Sequence, residues 1–93
     1  MSKPYFPDKS ELMGAVVKAL QEIGGEAKVS DINAKVIEIL NLPDEVVELE
    51  DESGLGTKLD YRLRWVRTEL KEKNIIKNVK RGIWILGDEN ESL

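Results

Sequence analysis

Apolar residues recur every three or four positions in three stretches of the chain, a spacing that places them on one side of an α-helix. The first stretch runs from Leu12 to Ile23, the second from Ile32 to Leu40, and the third from Leu59 to Leu70. We therefore predict three main helices, the third covering residues 58–73.

Residues that favour helix ends flank the first and third stretches. Asp8 and Glu11 have the spacing of a capping box, with Ser10 as a competing N-cap. Thr57 is the predicted N-cap of the third helix, and Asn74 is its predicted left-handed stop. These signals fix where two of the three helices should begin.

Other residues mark the end of the first helix and both ends of the second. Gly24-Gly25 ends the first helix, and Ser30 is the predicted N-cap of the second. The second helix should end near Asn41-Leu42, because Pro43 disfavours helix at the residue before it. Asp44 is then predicted to cap one further short turn.

The last part of the chain is rich in β-branched residues. Two such runs, 75–79 and 83–86, flank Lys80-Arg81-Gly82, a pattern typical of a β-hairpin. A short extended piece at 27–29 would add a third strand. The predicted fold is α+β and mostly α: a winged helix-turn-helix of three main helices, with a C-terminal β-hairpin wing and a short third strand.

We divide the chain into three parts on this basis. Residues 1–7 form an irregular N-terminal arm, 8–87 the winged-helix domain, and 88–93 an acidic tail. Tyr5 and Phe6 are expected to dock the arm onto the core.

Composition excludes several classes of protein. The chain has 93 residues, with no cysteine and no histidine, so disulfides, zinc fingers, thiol catalysis and His-based catalysis are out. No apolar run approaches the roughly 20 residues of a membrane span. Met1-Ser2-Lys3-Pro4 lacks the apolar stretch of a secretory signal. We therefore expect a cytoplasmic protein with no membrane partner and no cofactor.

The net charge of −4 conceals two unlike halves. Residues 1–53 hold five lysines and twelve acids, a net of −7. Residues 54–86 hold nine basic and three acidic residues, a net of +6, including all four arginines. Such asymmetry is typical of a polyanion-binding half, and equally of a solvated basic face balanced by an acidic one.

The side of the third helix opposite its apolar seam carries donors that suit phosphates and base edges. In helix-turn-helix domains this helix enters the major groove. The residues that we predict to contact DNA come from this helix and from the hairpin tip: Lys58, Tyr61, Arg62, Arg64, Thr68, Lys71, Lys80 and Arg81. The alternative is that the basic residues only solvate the helix.

Three further residues of this region have open or flanking roles. Arg67 is expected to flank the exposed side of the third helix. Trp65 either serves binding on that side or packs against the wing or the arm. Trp84 is expected in the core or on a face of the sheet.

The third helix and the hairpin resemble a known domain. Residues 62–71 follow the pattern Arg-x-x-Trp-[Ala/Val]-[Arg/Lys]-x-x-Leu-Lys, and Arg81-Gly82-Ile83-Trp84 follows Arg-Gly-Val-[Trp/Tyr]. Residues 8–87 are thus similar to the N-terminal winged-helix domain of Mrr-type restriction endonucleases. The resemblance implies DNA recognition, with cleavage by a separate nuclease domain that we do not expect in this chain. Asn74 departs from the pattern, which has a small Ala-Gly corner there.

One motif imitates a catalytic site. Pro43-Asp44 with Glu69-Leu70-Lys71 resembles the Pro-Asp…(Asp/Glu)-x-Lys signature of Mg²⁺-dependent nucleases, whose acids and lysine must converge on a metal ion. In the predicted helix Glu69 and Lys71 point to different sides, so we predict no catalytic residue and no metal site. The acidic run at 48–52 is interpreted as a solvated loop, with a weak cation site as the alternative.

The sequence therefore predicts a non-catalytic, double-stranded DNA-binding domain like that of a restriction-system protein. The alternative is a winged helix used for protein interaction or dimerisation. In that case the acidic residues 44–52 and the aromatic Tyr61 and Trp65 would meet a nuclease domain, another partner protein or a second copy.

Overall fold

The computed structural model describes residues 6–54 and 56–87, and within them the chain forms four helices and three strands. The predicted contact of Tyr5 and the predicted acidic tail lie outside the described residues. In chain order the elements are α1 (Lys9–Ile23), β1 (Glu26–Lys28), α2 (Val29–Leu40), α3 (Asp44–Val47), α4 (Lys58–Glu72), β2 (Ile76–Lys80) and β3 (Ile83–Leu86). The predicted α+β, winged-helix-like arrangement is confirmed.

The predicted ends of α1 and α4 are confirmed by their hydrogen bonds. The Asp8 carboxylate accepts from the Glu11 backbone N–H at 2.9 Å, and the Glu11 carboxylate accepts from the Asp8 N–H at 3.1 Å. The Thr57 hydroxyl oxygen accepts from the Asp60 backbone N–H at 3.1 Å. Asn74, with φ of 64°, follows the end of α4 in the left-handed conformation.

The prediction that Ser30 caps α2 is wrong. The helix begins at Val29, and its N-cap is Lys28, which makes no side-chain capping bond. The Val29 N–H instead donates to the carbonyl of Gly82 in the hairpin turn at 2.9 Å. Because a distant backbone carbonyl satisfies this N–H, the start of the helix needs no side-chain cap for it.

The prediction that Asp44 caps the short turn is also wrong by one position. Asp44 is the first residue of α3, and Pro43 occupies the N-cap. The Pro43 carbonyl accepts from the backbone N–H groups of Val46 at 2.9 Å and Val47 at 3.1 Å. These two bonds close the single turn of α3, and no side chain caps it.

The three strands form one antiparallel sheet in the order β1-β3-β2. The predicted hairpin and third strand are both present: β3 has the predicted bounds, whereas β1 and β2 are each displaced by one residue. Gly87, just after β3, lies so close to the preceding connection that a Cβ there would collide with the backbone oxygens of Asn74 and Ile75. Only glycine fits at this crossing of two chain segments.

The core lies where α1, α2 and α4 pack together over the sheet. Its largest fully buried aliphatic side chains come from the helices and the sheet: Leu12, Val16, Leu20, Ile32, Val36, Val46, Leu59, Leu63, Leu70 and Ile76. Burying each such side chain stabilises the fold by about 1.5–3 kcal/mol relative to exposure. The seam of α4 is therefore anchored, and that anchoring decides which side of α4 faces solvent.

Candidate nucleic-acid interface

The exposed side of α4 follows directly from its buried seam. Leu59, Leu63 and Leu70 are at most 1 % exposed, so the opposite side of the helix points away from the core. Tyr61 and Trp65, on that side, are 46 % and 56 % exposed. Large aromatic side chains in such positions call for an explanation, because leaving them in water forgoes burial energy.

The wing is braced at its turn by one side chain. The Asn78 Nδ2 group donates to the backbone carbonyls of both Lys80 and Ile83 at 2.8 Å. Gly82 supplies the positive φ of 77° that the turn requires. A register shift between Asn78 and Lys80 accompanies this bracing, and both Lys80 and Arg81 are exposed at the tip.

The structure keeps the eight predicted contact residues on α4 and on the wing tip. Six are exposed, while Lys58 and Thr68 are half-buried. Among the described residues, the ion pairs involve only Lys9 and Lys35 as cations, so none of the predicted basic contacts is neutralised by a described carboxylate at ion-pair distance. Their positive charges therefore stay available to an anionic ligand.

One flank of α4 faces α1 and the N-terminal arm, and we call it the arm flank: Phe6, Lys9, Lys58, Arg62 and Glu69. The Lys58 Nζ lies 4.7 Å from the centre of the Phe6 ring, and the Arg62 guanidinium carbon lies 5.6 Å from it. The Lys9 Nζ is 2.9 Å from a Glu69 carboxylate oxygen. The predicted docking of Phe6 is thus confirmed, and it engages two of the predicted DNA contacts.

The opposite flank faces α2 and β3, and we call it the sheet flank: Asn33, Asp60, Arg67 and Trp84. The Arg67 Nη1 group donates to the Asn33 Oδ1 at 3.2 Å, and the guanidinium carbon lies 6.0 Å from the centre of a Trp84 ring. The Asn33 Nδ2 group in turn is 3.5 Å from the Asp60 Oδ1. Trp84 packs against the core, as predicted.

Arg67 is not the exposed flanking residue that the sequence predicts. Its side chain is 8 % exposed, and burial lowers the pKa of its guanidinium, although the nearby carboxylate of Asp60 acts in the opposite direction. One signal in the sequence points to this: Arg67 lies four residues after Leu63 and three before Leu70, so it borders the seam. One of the nine basic charges of residues 54–86 is therefore withdrawn from the surface.

Two predicted residues on the exposed side have internal contacts. The Thr68 hydroxyl donates to the Arg64 backbone carbonyl at 3.1 Å, which commits its hydrogen within the helix. Tyr61 and Trp65 form an edge-to-face pair, with ring centres 6.3 Å apart and an angle of 71° between planes. Trp65 stays more than half exposed despite this pairing.

The acidic segment before α4 folds into a tight loop. The Asp51 carboxylate accepts from the Ser53 backbone N–H at 2.9 Å, and Glu50 pairs with Thr57 in a β-bridge. That backbone hydrogen bond lowers the pKa of Asp51. A groove of about 290 Å³ separates this loop from the first turns of α4, and its lining includes Asp51, Asp60, Tyr61 and Arg64.

A family model of the Mrr N-terminal domain matches residues 10–93. The chain belongs to this family. The match spans the helices and strands of the domain except for the first residue of α1, and it includes α4 and the wing that carry the resemblance in the sequence. No curated protein and no solved structure was found to match the chain.

In this Mrr N-terminal domain, the Glu69-Leu70-Lys71 part of the nuclease-like motif lies within α4. Glu69 lies within α4 and pairs with Lys9 of α1, and Leu70 between Glu69 and Lys71 is buried in the core. The described residues contain no group of three or more carboxylates that could hold a metal ion. None of their helices combines the length and apolar character needed to cross a bilayer.

Proposed function

We propose that this Mrr N-terminal domain binds double-stranded DNA through α4 and the wing tip and performs no catalysis itself. One observation carries the proposal: the exposed side of α4 and the tip of the hairpin present arginine and lysine side chains that no described carboxylate neutralises at ion-pair distance. Such cations attract phosphates, and binding releases the counterions condensed on DNA.

The arrangement divides the contacts between two elements. An α-helix fits the major groove, where α4 would present Arg64 and Tyr61 to base edges or phosphates. Lys71, toward the end of the same side, and Lys80 and Arg81 on the wing would contact the backbone. Lys58 and Arg62 lie against Phe6, so we assign them a smaller share of binding.

The decisive measurement is fluorescence anisotropy of a labelled random-sequence duplex, titrated with the full chain at about 50 mM and about 200 mM salt. We expect saturable binding that weakens steeply at the higher salt. Arg64→Ala should weaken binding at both salt concentrations, because it removes an exposed cation from the binding side of α4. Lys18→Ala is the matched control, because Lys18 is an exposed cation on α1 and is not one of the predicted DNA contacts.

Two results would refute the proposal. One is an absence of saturable binding at the lower salt. The other is an equal effect of Arg64→Ala and Lys18→Ala, which would show that any attraction is diffuse and that α4 is not the binding element. Circular dichroism of each variant keeps the comparison among folded proteins.

A second candidate function, docking of a partner protein, is favoured by the exposed pair of Tyr61 and Trp65. Aromatic side chains of this kind are enriched at the centres of protein interfaces. Sedimentation velocity of the chain tests the homodimer version. A dimer that Trp65→Ala dissociates, with no binding to duplex, would replace the DNA proposal by this one.

A further inference from the structure

Asp60 occupies the first turn of α4 but does not complete a capping box there. In α1 the corresponding acid, Glu11, folds back onto the N–H of its own N-cap residue. In α4 the Thr57 hydroxyl caps the helix, and the carboxylate of Asp60 points instead to Asn33 of α2. Its direction is therefore set by another helix rather than by its own N-terminus.

Two side chains behind Asp60, those of Asn33 and Arg67, hold its carboxylate in that direction. Buried Arg67 donates to the Asn33 Oδ1 at 3.2 Å, which leaves the Asn33 Nδ2 group, 3.5 Å from Asp60, as the donor toward it. The oxygen of the Asn33 amide must face Arg67, because a guanidinium has only donors. The exposed carboxylate of Asp60 is thus held by a series of contacts that begins at the nearly buried Arg67.

The groove beside Asp60 disfavours a phosphate. Asp60 and Asp51 both line this groove, and Arg64 is the single cation among its lining residues in the described part of the chain. The two carboxylates repel a DNA phosphate from the groove itself. A carboxylate in the major groove can accept a hydrogen bond from an exocyclic amino group, and the N4 amino group of cytosine is its established donor there.

We propose that Asp60 is a specificity-determining residue that accepts a hydrogen bond from cytosine N4 in the major groove, positioned by Asn33 and Arg67. The inference rests on the proposed DNA binding by α4. Arg64 lies one helical turn further, about 6 Å along the axis, and suits the O6 and N7 atoms of guanine. The DNA site should therefore contain a cytosine and a guanine in the same or neighbouring base pairs.

The test is selection of duplexes from a random library by the full chain, followed by anisotropy on the selected site and on duplexes with single base-pair changes. We expect one C·G pair whose change to T·A weakens binding by roughly tenfold or more. Asp60→Asn should lose most of that preference while binding unselected DNA more tightly, because a repulsive charge is removed.

Glu72→Gln is the matched control, since it removes one carboxylate from the far end of the same helix. Glu72 is exposed and lines a different groove. Glu72→Gln should also tighten binding to unselected DNA, yet keep the C·G preference. If both variants keep the preference, Asp60 only tunes charge and the inference is wrong.

Asn33→Ala tests the positioning role through the same readout. It should weaken the preference at that one base pair while Asp60 retains its charge, so binding to unselected DNA stays unchanged. Uniform weakening at all positions would show a purely structural role instead. Binding by the wild-type chain without any base preference would refute this inference and leave the proposed function standing, whereas absence of binding would refute the proposed function.

Discussion

The two flanks of α4 hold the same helix with different chemistry. On the sheet flank a nearly buried arginine joins α4 to Asn33 of α2 and lies over Trp84 of β3. On the arm flank exposed or half-buried cations lie over the Phe6 ring, and a surface ion pair joins α4 to α1. The sheet flank is held by a nearly buried guanidinium, and the arm flank by charges that are exposed or half-buried.

The difference shows which sides of α4 are fixed by packing and which side is available for binding. A buried guanidinium has given up its hydration, so its neighbours must compensate, and its removal disturbs the packing around it. Exposed cation–π contacts and ion pairs contribute less, since water and salt compete for them. Between the flanks, Tyr61, Arg64 and Trp65 remain at the surface.

The largest expected effect is at Arg67. Arg67→Ala removes a buried side chain and the donor to Asn33, and we expect the free energy of unfolding to fall by about 2–4 kcal/mol. Arg67→Met keeps the volume and avoids the desolvation of a charge, so it should cost less than half as much. Urea unfolding followed by circular dichroism measures both. Equal losses in the two variants would show that the hydrogen bond to Asn33, rather than packing, holds the sheet flank.

Phe6 should have the next largest effect, on the arm flank. Phe6→Ala should lower the free energy of unfolding by about 1–2 kcal/mol, because it exposes part of the core and removes the ring beneath two cations. Phe6→Leu is the control that keeps apolar area without the ring. A double-mutant cycle of Phe6→Leu with Arg62→Ala should give a coupling of about 0.5–1 kcal/mol. Zero coupling would mean that the ring serves only as apolar cover.

The ion pair of Lys9 and Glu69 should contribute less again. Lys9→Ala should cost about 0.2–1 kcal/mol at low salt, as is typical of exposed pairs. The loss should vanish near about 1 M salt, where the screening length is about 3 Å. Unfolding at the two salt concentrations measures it, with Lys18→Ala as the unpaired control. A loss that persists at high salt would show that this contact, like the buried contact of Arg67, is shielded from the ions of the solvent.

The smallest effect should be a pH dependence from Asp51, in the loop before α4. Its pKa is lowered, chiefly because its carboxylate accepts the backbone N–H of Ser53, so the folded state favours the ionised form. That contribution to stability is complete above the usual aspartate pKa of 3.8 and is lost as the pH falls through the lowered value. Acid unfolding of wild type and Asp51→Asn should differ in slope only below about pH 4. Parallel curves would show that the loop does not retain this bond in solution.

The fold was largely predictable because its signals are local. The period of the three apolar stripes, the Asp8–Glu11 capping box and the hairpin with Gly82 each depend on residues a few positions apart. The start of α2 was not predictable in this way, because the group that satisfies the Val29 N–H is the carbonyl of Gly82, which lies more than fifty residues later. The helix therefore starts one residue before Ser30, which lies in its first turn and is not its N-cap.

The candidate interface was predictable only in part. The eight predicted contacts do lie on α4 and the wing tip, but a helical wheel does not reveal which of their atoms are already engaged. The hydroxyl hydrogen of Thr68 is committed to a backbone carbonyl, and Lys58 and Arg62 lie over Phe6. The proposed role of Asp60 was not predictable from the sequence, because the helix dipole alone explains an acid in the first turn of a helix.

By itself the sequence determined the elements, the side of each helix that is buried, and the concentration of positive charge in α4 and the wing, since periodicity and composition act locally. Only the tertiary structure decided that Arg67 is buried, that Phe6 lies beside two of the cations, and that Asn33 joins Arg67 to Asp60. Each of those outcomes depends on contacts between segments distant in the chain. Whether a charged side chain is desolvated, paired or free is settled by what packs against it.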